Sequence, residues 1–153
     1  MVTKIIEMHP HKIVPESKPS FLEGRITSFG YAWSGIMKFF ATEKNAQVHL
    51  GATVMVISMA VLLDVNQVEI IMLVFAIALV WITEMINTAI EKIMDFISVE
   101  RNNSIKTIKD MAAGAVLMAS TAALLTGSII FIPKLVSLFN RLYTDFRVVM
   151  MIE

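Results

Sequence analysis

The sequence predicts an all-α membrane protein, with three transmembrane helices preceded by an interfacial amphipathic helix. Three observations predict it. Of 153 residues 56% are hydrophobic and the mean hydropathy is +0.70, where soluble domains hold about 45–50% apolar residues. The apolar residues are gathered into three long runs, and a span needs only about 20 of them. Charge lies mainly between the runs, and the last run, Met111 to Ile132, has none.

Residues 1–24 contain Pro10, Pro15 and Pro19 among scattered Lys and Glu, with no apolar stretch of the signal-peptide kind. They read as a mobile cytoplasmic extension. His9 and His11 flank Pro10 but make too small a ligand set for a metal. From Ser28 to Thr42, Phe29, Trp33, Ile36, Met37, Phe39 and Phe40 recur mostly at helical spacing, the mark of a helix lying in the interface. Tyr31 and Trp33 suit headgroup depth, where an amphipathic ring keeps its polar tip wet.

The spans are expected at about residues 48–65, 70–96 and 111–132 within a membrane domain of residues 25–132. Asp64, Asn66 and Gln67 form the polar turn between the first two. The third run carries Ala112, Ala115, Ala119, Ala122 and Ala123 for close helix packing, and should stop at Pro133. Residues 133–153 then form an amphipathic tail, with Leu135, Leu138, Phe139, Leu142 and Phe146 on one face, placed to lie along the membrane.

Basic residues set the orientation. Arg25, Lys38 and Lys44 precede the first span, and Arg101, Lys106 and Lys109 join the second to the third, whereas the turn from Asp64 to Glu69 has no base. The N-terminus and the second connection are therefore expected in the cytoplasm. Lys134, Arg141 and Arg147 then fall outside, against the rule. Zero formal charge gives no argument for nucleic acid, and the lack of cysteine excludes disulfides, thiolate zinc sites and a cysteine nucleophile.

The chemistry gathers on the second span. Glu84, Asn87, Glu91 and Asp95 follow at spacings of three, four and four residues, which puts them on one helix face. Glu84 would lie roughly 9 Å inside the hydrocarbon region. An acid there costs on the order of 3 kcal/mol at mid-span and so usually faces protein and marks a functional path. A polar clamp between helices is the structural alternative.

A carboxyl taken out of water can serve as a general base near neutral pH. Two carboxylates with spare oxygens suit Mg²⁺, which keeps waters and accepts substrate phosphates as ligands. The six glycines form neither GxxxxGK[ST] nor GxGxxG, so phosphate would be held by metal and side chains, with Lys109 and Asp110 at the mouth of the third span as candidates.

The run Glu84-Met-Ile-Asn87-Thr-Ala-Ile-Glu91-Lys-Ile-Met-Asp95 resembles the signature of the small bacterial diacylglycerol kinase and undecaprenol kinase family. Tyr31-Ala-Trp33-Ser-Gly35 and Glu43-Lys-Asn45 upstream, and Lys109-Asp110-Met-Ala-Ala-Gly-Ala-Val downstream, extend the likeness over about residues 25–132. The resemblance implies a lipid kinase that moves the γ-phosphate of MgATP to the hydroxyl of a membrane lipid alcohol. It also implies a homotrimer in the bacterial inner membrane, with active sites shared between neighbouring chains on the cytoplasmic side.

Carried over, Glu84 is the general base and Asn87 its polar partner. Glu43 and Glu91 hold Mg²⁺ on the ATP phosphates, and Arg25, Tyr31, Glu100, Asn102, Lys109 and Asp110 complete the nucleotide site. Trp33, Asn45 and His49 join Glu84 around the lipid. Arg25 stands one residue nearer Tyr31 than the family pattern has it, and Gln47 replaces an arginine common among relatives. Asn45 and His49 look more like the undecaprenol branch. The rival is a transporter subunit carrying protons or cations on Glu84 and Glu91, which would need polar groups along a path to the far side, where the spans are nearly all apolar.

Overall fold

The structure, a computed structural model, describes residues 20–98 and 102–152. These form four α-helices: α1 Phe21–Thr42, α2 Lys44–Leu62, α3 Gln67–Ile97 and α4 Asn103–Ile152. The chain divides into two compact units, Met1–Ile36 and Met37–Glu153. The expectations for the proline-rich start, His9 and His11 included, lie outside the described residues.

In the first unit, the helix expected from Ser28 already begins at Phe21. Ser20 and Glu23 explain the earlier start. The Ser20 amide donates to Glu23 Oε2 at 2.8 Å and the Glu23 amide donates to Ser20 Oγ at 3.3 Å. This is the reciprocal S-x-x-E cap, which satisfies two amides at a helix start. Hydrogen bonding to Ser20, its backbone amide first and its hydroxyl second, holds the Glu23 carboxyl below the usual glutamate range.

The second unit holds the spans. α2, α3 and α4 are each long and apolar enough to cross a membrane. At 1.5 Å per residue, the 19 residues of α2 reach about 28 Å and the 31 of α3 about 46 Å. A hydrocarbon core is about 30 Å thick, so α2 just spans it and α3 has several turns to spare. α2 begins at Lys44, ahead of the expected residue 48, because backbone hydrogen bonding starts among the polar residues that precede the apolar run.

α2 and α3 are joined by a turn in which Asp64 takes φ 48°, a left-handed conformation that Asp tolerates better than most residues. Asn66 then caps α3. Its side chain accepts from the Glu69 amide at 3.0 Å, and the Asn66 amide donates to Glu69 Oε2 at 2.8 Å. Next to this turn lies the apolar core: Val65, Leu73, Ile130 and Phe131, with Val56, Met59, Ala60 and Leu63 packed against it. Lys134 closes that end, with Nζ 3.0 Å from Glu69 Oε2 and donating to the Asp64 carbonyl at 3.3 Å.

α3 packs mainly on α4 and less on α2. Leu73 shares the core with Ile130 and Phe131, and Asp95 pairs with Lys109 at 2.8 Å, so α3 and α4 run antiparallel. That register places Ala119 at the level of Glu84 and Ala112 at the level of Glu91. Both alanines are buried, and their small side chains let the two backbones approach.

The expected stop at Pro133 does not occur: α4 runs through it to Ile152. Proline removes one amide and crowds the preceding turn. In membrane helices such a break is tolerated, because neighbouring groups take up what the backbone loses. Here the break is followed at once by Lys134, tied to Glu69 and the Asp64 carbonyl, and the chain beyond keeps helical pairing.

Candidate active site

The stripe expected on the second span is formed on α3, and its burial is graded. Glu84 is 2% exposed, Asn87 4% and Thr88 8%, Glu91 is half-buried and Asp95 is exposed. A row of polar groups thus leads from the interior of the bundle to its end. Thr88, one turn beyond Glu84, belongs to it as well. Its spacing of four from Glu84 was the available signal.

The side chains along the row are partly committed. Asn87 Nδ2 donates to Glu91 Oε1 at 3.0 Å, one turn on. Asn87 Oδ1 is buried and has no protein partner among the described residues. An unpaired buried carbonyl costs about 1–3 kcal/mol, and such an orphan asks for a donor from elsewhere.

Glu43 stands in extended conformation between α1 and α2. Its Oε1 accepts from Lys92 Nζ at 2.6 Å and from Thr42 Oγ1 at 2.9 Å. These bonds, Lys92 first, hold the Glu43 carboxyl below the usual glutamate range. Lys92 follows Glu91 directly, so the ion pair brings Glu43 to the level of Glu91 on α3. Lys92 was missed in the sequence because its partner is 49 residues away.

Lys109 is engaged with Asp95, the last member of the row, and Asp110 is exposed beside it. Asn102 accepts from the Ser104 amide at 2.8 Å and so caps α4. Glu100 lies outside the described residues. Arg25, Tyr31 and Trp33 belong to the first unit, where all three are exposed and the Arg25 guanidinium lies 4.9 Å over the Phe21 ring.

One turn before Glu84, Trp81 gathers an aromatic cluster. Phe40 lies 4.8 Å and Phe39 6.1 Å from it between ring centroids, and His49 stands edge-on at 6.3 Å. Trp81 Nε1 donates to Thr53 Oγ1 at 3.2 Å. Trp81 thereby ties the middle of α2 to α3, with His49 one turn earlier against its ring. Asn45 is exposed on the first turn of α2.

Among the described residues no group of three or more His, Asp or Glu is placed to hold a metal ion by itself. Glu43 and Glu91 supply two hard anionic oxygen donors and no more. That set fits Mg²⁺, which commonly takes one or two protein carboxylates and fills its octahedron with water and substrate phosphate.

Fold and site together define a multi-pass helical membrane protein with a graded acidic site at one end of its central span. The family model of prokaryotic diacylglycerol kinase matches residues 30–131, and the chain belongs to that family. It is 36% identical over 138 residues to a diacylglycerol kinase of Synechocystis sp., covering 82% of this chain and 79% of the relative. It is 34% identical over 108 residues to the undecaprenol kinase of Bacillus subtilis, covering 71% and 88%. To the diacylglycerol kinase of Escherichia coli it is 31% identical over 105 residues, covering 69% and 86%. The protein is therefore a lipid kinase, an enzyme that phosphorylates an alcohol. Nothing in these likenesses supports the transporter reading.

Proposed function

We propose that the phosphoryl donor is ATP with Mg²⁺, that the acceptor is the hydroxyl of diacylglycerol or undecaprenol, and that transfer takes place along the graded row on α3. The observation that carries this reading is the buried Glu84 and Asn87 opening through Glu91 to the end of the bundle. Phosphoryl transfer needs little covalent help from protein and depends on positioning and charge neutralisation. Glu84, at the closed end of the row, accepts the proton of the lipid hydroxyl. The unpartnered Asn87 Oδ1 is a further buried acceptor one turn from Glu84. Asn87 Nδ2, bonded to Glu91 Oε1, fixes the Glu91 carboxylate.

Glu43 and Glu91 would hold Mg²⁺, which when bound neutralises phosphate charge. Lys92 keeps Glu43 ionised and level with Glu91. Lys109 and Asp110 at the mouth of α4, Asn102 at its cap, Glu100, and Arg25 and Tyr31 of the first unit complete the nucleotide side. Trp33, Asn45 and His49 contact the lipid. The proposed assembly is a homotrimer in the inner membrane, with the membrane domain of residues 25–132 placing the row at the cytoplasmic face.

The experiment is transfer of labelled γ-phosphate from ATP to an organic-extractable product by purified protein in lipid, with and without Mg²⁺. Label should appear in the lipid phase only with Mg²⁺. Transfer that persists in chelator would remove the metal from the reading. Asn45 and His49 lead us to expect a higher kcat/KM for undecaprenol than for diacylglycerol when both compete in one bilayer. The reverse order would exchange the substrate.

A further inference from the structure

We propose that the helical arm after Pro133 is a lipid-surface element, bound to the anionic headgroups of the membrane face opposite the active site. The family match ends at residue 131, and the arm follows it without a break in the helix. Its position is fixed by the far end of the bundle. The Asn66 and Glu69 cap, the Asp64 carbonyl and Lys134 form a polar cluster there, at the opposite end of α3 from Glu91. Such a cluster belongs at a membrane boundary rather than in hydrocarbon. Residues 135–152 therefore begin where the bilayer ends. Standing upright they would project roughly 27 Å at 1.5 Å per residue, with Leu142, Phe139 and Phe146 each at least 60% exposed.

The pattern of the arm says what covers it. At about 100° per residue, Leu135, Leu138, Phe139, Leu142 and Phe146 fall within an arc of roughly 100°, the width of a one-sided apolar face. Ser137, Asn140 and Thr144 lie opposite. Arg141 and Arg147 fall about 60° and 80° beyond the two sides of the apolar arc, within reach of headgroups for long cationic side chains that extend along an apolar surface, and Asp145 lies about 20° beyond Leu138. Arg147 also lies over the Tyr143 ring at 6.0 Å, an amphipathic pair suited to headgroup depth. Within residues 135–152, Arg141 and Arg147 stand against Asp145 as the one acid, a basic excess of the sign that suits anionic lipid.

A second copy of the arm fits less well. Leu135, Phe139, Leu142 and Phe146 have seam spacing, but the positions beside the seam, Val136, Leu138, Tyr143 and Asp145, offer no complementary charge pairs for a coiled coil. Lying down requires α4 to bend near Pro133, where the Ile129 carbonyl already lacks its helical amide, so a bend there gives up one backbone hydrogen bond fewer than elsewhere in the helix.

The chain has no cysteine, so Leu142→Cys and Thr144→Cys each accept a single fluorophore in the full-length protein. The labelled proteins are reconstituted in phosphatidylcholine vesicles with and without phosphatidylglycerol. With phosphatidylglycerol, the label at position 142 should be quenched by a lipid-borne nitroxide and protected from iodide, and the label at 144 should behave oppositely. Adding Arg141→Gln and Arg147→Gln should lower the docking equilibrium by about tenfold or more, since each basic residue near an anionic surface is worth about 1 kcal/mol. Iodide access at both positions would mean an upright arm, and protection of position 142 from both quenchers would mean arms paired with each other; either overturns the proposal. Lipid quenching indifferent to phosphatidylglycerol and to both arginines overturns the headgroup assignment.

Discussion

The two ends of α3 carry similar residues and use them differently. At the N-terminal end Asn66 and Glu69 satisfy each other's backbone groups, Lys134 pairs with Glu69, and Val65, Leu73, Ile130 and Phe131 close over an apolar core. At the other end Glu84 and Asn87 are more deeply buried, yet Asn87 keeps an unpaired oxygen and Glu91 opens toward the bundle's edge. One end holds polar groups in closed pairs, and the other keeps buried polar capacity in reserve. Stability favours the first arrangement. The second costs stability and is what a site needs when its last partner arrives with the substrate.

If that contrast is right, substitutions at the two ends should fail in different ways. The largest effect is expected from Glu84→Gln, which keeps shape and removes the base. Phosphoryl transfer should drop by about 10²–10⁴-fold, the usual worth of general base catalysis, with oligomeric state and Tm nearly unchanged. Phe131→Ala should do the reverse, costing about 3–5 kcal/mol of stability for a buried aromatic. A denaturation series in detergent reads the loss, while activity per folded molecule stays near wild type.

Next come Glu43→Gln and Glu91→Gln, each of which removes an anionic oxygen donor. Both should raise the Mg²⁺ concentration at half activity. An unchanged titration in both variants would separate these residues from the metal. A smaller change is expected at the closed end from Asn66→Ala, about 1 kcal/mol for a lost helix cap, visible as a lower Tm without a change in KM.

The smallest concerns pH. Glu43 has a folded-state pKa below the ordinary value of 4.5, chiefly because Lys92 donates to it. Its contribution to stability is complete above about pH 4.5 and is lost as pH falls through the lower folded value. Lys92→Met should therefore flatten the fall of Tm with acid in that window and leave it unaltered near neutrality.

Much of this was legible in the sequence because it is local. The spacing of Glu84, Asn87, Glu91 and Asp95 defines one helix face without knowledge of any neighbour, and apolar length alone marks three spans. What was not legible depends on partners distant in the chain or on context overriding a local rule. The Lys92 contact with Glu43 joins residues 49 apart, and the aromatic cluster on Trp81 joins three helices. Pro133 was expected to end α4 because its amide is missing, but the ties of Lys134 to α3 and the preceding turn carry the helix past it. The start of α1 was visible in the S-x-x-E pattern of Ser20 and Glu23, but the expectation followed the apolar residues from Phe29 onward and so began at Ser28.

The central claim is that the acidic end of α3 is catalytic and the other end structural, although each carries a glutamate. Glu84→Gln and Glu69→Gln, purified in the same assembly and assayed side by side for γ-phosphate transfer from ATP to lipid, test it in one measurement. The account predicts at least a hundredfold loss for Glu84→Gln, and for Glu69→Gln activity within a few-fold of wild type with a lowered Tm. Comparable activity in the two variants, or a greater loss at Glu69, would contradict it.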